Sequence, residues 1–129
     1  MSTAEYLEIL AMSQGLVATH SMNAVSILFA YLVAAYVVGR KFSRFQVISI
    51  SLIYTVFLTL PVFAMLGEMS SLISLNVNFA REYPDFVNTL NSGRISAPGG
   101  YFLYVNAFVW LSGWLLSLYF MYNARKEER

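Results

Sequence analysis

The sequence predicts an all-α integral membrane protein with three transmembrane helices. Three observations carry this: low charge, high apolar content, and three long runs without a charged residue. Charged residues make up 12% of the 129 residues and hydrophobic ones 58%, where an ordinary soluble domain is roughly 25% charged. Mean hydropathy is +0.60. The uncharged runs are 21–39, 45–67 and 101–122, of 19, 23 and 22 residues. At about 1.5 Å per residue each crosses a hydrocarbon core of about 30 Å.

At the N-terminus, "STAEYLEILAMSQGL" places Ser2 three residues before Glu5, the spacing of a capping box. Tyr6, Ile9, Leu10 and Leu16 recur at helical spacing while Glu5 and Glu8 stay polar. This predicts an amphipathic helix lying at the outer membrane interface, joining or bending before the first span near Thr19 and His20. The first twenty residues lack a basic segment, so a cleaved signal peptide is not expected.

Five residues, "RKFSR", join the first two spans and require an antiparallel hairpin. Beyond the second span, Leu66, Met69, Leu72, Ile73 and Phe79 predict an amphipathic helix reaching about Arg81. "YPD" breaks it, Asp85 is placed to cap a short helix "FVNTLN" that stops at Gly93, and "SAPGG" turns the chain into the third span. The 33-residue segment 68–100 is thus a partly helical outer loop. Without repeats or linkers, residues 1–129 form a single membrane domain.

Net charge is +1, so no nucleic-acid partner is implied. Placement says more: Arg40, Lys41, Arg44, Arg125, Lys126 and Arg129 lie on one side, against Arg81 and Arg94 on the other. The positive-inside rule predicts a cytoplasmic 40–44 turn and C-terminus, with the N-terminus and 68–100 outside. A bacterial inner membrane is the expected location. The cytoplasmic side then consists of a short turn and tail, too little for a nucleotide fold or catalytic domain. There is no cysteine and one histidine, His20, and no metal-ligand, nucleophile-elbow or phosphate-loop motif occurs. The sequence therefore predicts no catalytic residues, no metal and no enzyme, and leaves the cofactor unspecified.

Each span carries a small or polar stripe. Ser26, Ala30 and Ala34 on the first give small-xxx-small spacing, which permits close backbone approach. Ser51, Thr55 and Thr59 form a hydroxyl column on the second, and Gly113 and Ser117 share a face of the third with Asn106 and Trp110. These are the expected helix-packing residues. Near the midplane, Tyr31, Tyr54, Trp110 and Trp114 sit where interfacial aromatics are unusual. The indole N–H groups need partners there, for which Thr55 and Tyr54 have the right height. They fill core, or form a wall for an apolar ligand such as a quinone, a carotenoid pigment or a lipid tail. Asn23, Pro61 and Asn106 lie in the outer third. Pro61 frees the Phe57 carbonyl, and the expected polar cluster has an Asn amide or a water answering it.

Two functions fit. The first is a non-enzymatic accessory or scaffold subunit of a larger inner-membrane complex, with membrane lipids and other membrane subunits as partners. The alternative is a small homo-oligomeric pore or channel; its three-span, N-out, C-in layout is similar to one class of phage holins in topology alone.

Overall fold

The computed structural model describes residues 1–92 and 100–126, and is helical almost throughout. Helix α1 spans Thr3–Val38, α2 Arg44–Glu82, α3 Pro84–Ser92 and α4 Gly100–Lys126. A single 3-10 turn, Gly39–Lys41, links α1 to α2. Three helices are long and apolar enough to cross a membrane.

Local sequence accounts for the starts and stops. Ser2 accepts the Glu5 N–H at 3.2 Å while the Glu5 carboxylate accepts the Ser2 N–H at 2.7 Å. Ser43 and Gln46 close the same reciprocal box at the start of α2, satisfying amide donors that a helix terminus leaves open. The bond from the Ser2 amide holds the Glu5 carboxyl below its ordinary pKa. A depressed carboxylate stabilises above its unfolded pKa and loses that contribution as pH falls through the folded value. Acidification is therefore expected to fray the first turn of α1, read as faster amide exchange at residues 3–6 and none at 28–36. In the 3-10 turn Gly39 is buried under α4, where a Cβ would make ordinary contacts, 3.5 Å from Met121 Sδ and 3.6 Å from the Ala124 Cβ. Pro84 occupies the first position of α3, where the missing N–H has no helical partner to lose. Asp85 follows in the first turn, near the positive end of the helix dipole. The expected stop at Gly93 and the turn through 96–99 lie outside the described residues.

Length sets the architecture. Helices α1 and α2 have 36 and 39 residues, about 54 and 58 Å at 1.5 Å per residue, against a core of about 30 Å. Helix α4, at 27 residues, is about 40 Å long. The α1/α2 hairpin is thus longer than a hydrocarbon core, and its end away from the basic turn is termed the two-helix stalk.

Two clusters fill the interior. In the three-helix bundle, Ala24, Tyr31, Ala35, Tyr54, Leu58 and Met121 are buried, flanked by Leu28, Trp110 and Trp114. In the stalk, Tyr6, Leu10, Leu72, Phe79 and Val87 are buried together. Here the structure revises the expectation for the N-terminus. α1 is one continuous helix through Thr19 and His20, and the Tyr6–Leu10 face that an interfacial helix would give to lipid is covered by α2 and α3. The aromatic rings explain why: Tyr6 stacks on Phe79 at 3.9 Å and 9°, and Phe86 meets both edge-on. Tyr6 Oη also donates to Asn76 Oδ1 at 2.9 Å. Protein offers this tyrosine a stacked ring and an acceptor that a lipid surface lacks.

Candidate functional site

At the centre of the bundle one polar chain touches all three long helices. Tyr31 of α1 stacks on Tyr54 of α2, centroids 3.9 Å apart and 11° from parallel, and the Tyr31 and Ser51 hydroxyls are hydrogen-bonded at 2.7 Å. Ser117 Oγ of α4 donates its one proton to the Trp114 carbonyl at 2.7 Å. The 2.8 Å bond between Tyr54 and Ser117 therefore has the tyrosine as donor. Trp114 Nε1 donates to Thr55 Oγ1 at 3.0 Å, and Thr55 in turn donates to the Ser51 carbonyl at 2.8 Å. Among the described residues no buried side-chain nitrogen or oxygen lacks a partner. Hydrogen bonds of this kind between helices add cohesion and fix register.

The hydroxyl column divides by depth. Ser51 and Thr55 join the network, whereas Thr59 is exposed and returns its proton to the Thr55 carbonyl at 2.6 Å. Such a bond one turn back keeps a hydroxyl tolerable in lipid. Gly113 of α4 faces α1; a Cβ there would stand 3.4 Å from Leu28 Cδ1, at ordinary contact distance.

The stripe Ser26, Ala30 and Ala34 sits differently from the core face of α1. α1 meets its neighbours through Ala24, Tyr31 and Ala35, with Leu28 beside them. Ser26 and Ala30 are exposed and Ala34 is half-buried, and Ser26 Oγ donates to the Met22 carbonyl at 2.8 Å. These residues line a groove between α1 and α2 to which α4 contributes no residue. It consists of two depressions, about 360 and 340 Å³, that share Ile27 and Phe57. Asn23, Ser26 and Pro61 border the first, and Ala30, Ala34 and Tyr54 the second.

Pro61 lies inside an unbroken α2. Asn23 and Pro61 border the same depression, but Asn106 is not part of it. Its Nδ2 donates to the Phe102 carbonyl of its own helix at 2.9 Å. The three residues do not form one polar cluster, because α4 presents Asn106 elsewhere and a partner one turn away satisfies it. Trp110 and Trp114 border a separate hollow of about 270 Å³ between α2 and α4, with Thr55, Thr59 and Phe63 opposite.

Sequence reasoning also missed contacts between the midplane and the stalk tip. Ser21 Oγ donates to Met65 Sδ at 2.9 Å, linking α1 to α2 between the two clusters, and Tyr6 is joined to Asn76 and Phe79 across the stalk. Only helical spacing marks these residues in the sequence, and spacing does not name the partner.

Comparison with protein-family models, with curated proteins and with solved structures finds no match.

Proposed function

We propose that this protein is a non-enzymatic scaffold or accessory subunit of a larger complex in a bacterial inner membrane. Its N-terminus and stalk face outward, and the basic end is cytoplasmic, as the positive-inside distribution of Lys and Arg favours. One observation carries the reading: the small-residue stripe of α1 is left outside the bundle. Ser26 and Ala30 are exposed along a groove that α4 does not enter. Lipid tails gain nothing from small side chains, but a second helix does, since van der Waals contact at close range is what associates helices in a bilayer. The groove suits a transmembrane helix of another subunit.

An affinity-tagged chain purified from its native membrane should bring a stoichiometric membrane partner with it. Ala30→Leu should lower the recovered partner about tenfold, equivalent to about 1.4 kcal/mol, by holding the helices apart. The melting of the isolated chain should be unchanged, because Ala30 is exposed. Recovery of the partner at wild-type yield would remove the groove from the proposal. A closed ring of identical chains that depolarises cells would replace the scaffold with a homo-oligomeric pore.

A further inference from the structure

At the basic end, two helices present matched sets of residues to one crevice. α2 contributes Arg44, Val47 and Ile48, and α4 contributes Tyr122, Arg125 and Lys126. Both sets follow the spacing i, i+3, i+4, which puts each on a single helix face. The crevice holds about 600 Å³. Three cations line it, together with Val47, Ile48 and Tyr122, which lie within the uncharged runs 45–67 and 101–122. Among the described residues no acidic side chain lines it.

We infer that this crevice binds an anionic glycerophospholipid, its phosphate among Arg44, Arg125 and Lys126 and the start of an acyl chain against Val47 and Ile48. Two independent features point to a lipid and not a soluble anion. Charge complementarity selects a phosphate: arginine matches its oxygens with a planar fork and lysine adds a point charge. The apolar wall selects what the phosphate is attached to, because it runs from the cations into the uncharged faces of α2 and α4. Basic pockets between transmembrane helices take up anionic headgroups for the same reason. Tyr122, exposed at the boundary, presents a phenolic donor at headgroup height. The assignment does not depend on the scaffold reading, since it concerns another groove at the opposite end from the stalk.

The test uses the full chain in detergent, titrated with phosphatidylglycerol or phosphatidylcholine of the same acyl chains and read by native mass spectrometry and thermal shift. Phosphatidylglycerol should bind the wild type at lower concentration than phosphatidylcholine. Each juxtamembrane cation is worth about fivefold, so Arg125→Gln/Lys126→Gln should reduce the preference about 25-fold. Ile48→Trp fills the apolar wall without changing charge, and should lower affinity for both lipids about tenfold. Ile48 and Lys126 are exposed and Arg125 is half-buried, and helicity by circular dichroism checks that each variant is folded. A preference surviving the double charge variant would overturn the site. Unchanged binding in Ile48→Trp would show a diffuse surface field instead of a crevice and overturn it too. Displacement of the lipid by millimolar inorganic phosphate would show an anion site and overturn the lipid assignment.

Discussion

Tyr54→Ala should loosen all three long helices at once, at a cost of about 3 kcal/mol in reversible unfolding from detergent, whereas Tyr54→Phe should cost about 0.6 kcal/mol. The contrast follows from what each substitution removes. Tyr54 is 5% exposed, stacks on Tyr31 of α1 and donates to Ser117 of α4. Alanine deletes the ring, opens a void beside Leu58 and Ala35 in the bundle core, and forfeits the dispersion contacts on which membrane helices depend. Phenylalanine keeps the ring and removes one interhelical bond. Ser117 Oγ still gives its proton to the Trp114 carbonyl, so no buried donor is orphaned. Fluorescence provides the readout, because both tryptophans, Trp110 and Trp114, border the same core. Equal losses from the two substitutions would show that the hydroxyl, not the stacked ring, holds the bundle.

The expected sizes of these two effects show which parts of the molecule its sequence could disclose. The spans were legible because 21–39, 45–67 and 101–122 have no charge to place in lipid. Depth was legible too: Thr55 and Trp114 fall at similar heights on antiparallel helices, and they are bonded. Rotation was not. α1 carries Ala24, Ala30, Ala34 and Ala35, so small residues occur on more than one of its faces. The face that packs is the one bearing Tyr31, which finds a ring to stack on. Which aromatic meets which is a tertiary fact, and one-dimensional periodicity does not contain it. The same limit applies to Tyr6. Its helical stripe marks an apolar face, but lipid and a second helix satisfy such a face equally in sequence terms. Only the length of α2, continuing unbroken to Glu82, supplies the partner.

That partner makes the stalk the other place where one residue should matter greatly. Tyr6→Ala should unfold the stalk and leave the bundle folded. Tyr6 is 1% exposed and Phe79 3%, and unlike the bundle core these rings lie beyond the predicted spans, where water makes their burial count. Removing the ring should cost about 3–5 kcal/mol. A satellite core of five buried residues on two helices and α3 has little reserve against such a loss, so opening should be local. Amide exchange should rise at residues 6–14 and 86–92 and stay slow at 28–36 and 54–62. Tyr6→Phe retains the stack and loses only the bond to Asn76, so its cost should be about 1 kcal/mol, without local opening. Tyr6 and Tyr31 are 25 positions apart on one helix, about 37 Å, far enough for the losses from Tyr6→Ala and Tyr54→Ala to add. A cooperative collapse of both clusters in Tyr6→Ala would mean instead that α1 transmits strain along its whole length. A partner gripping the stalk would then be felt at the midplane network through the same helix, and the molecule would act as a lever and not as a static scaffold.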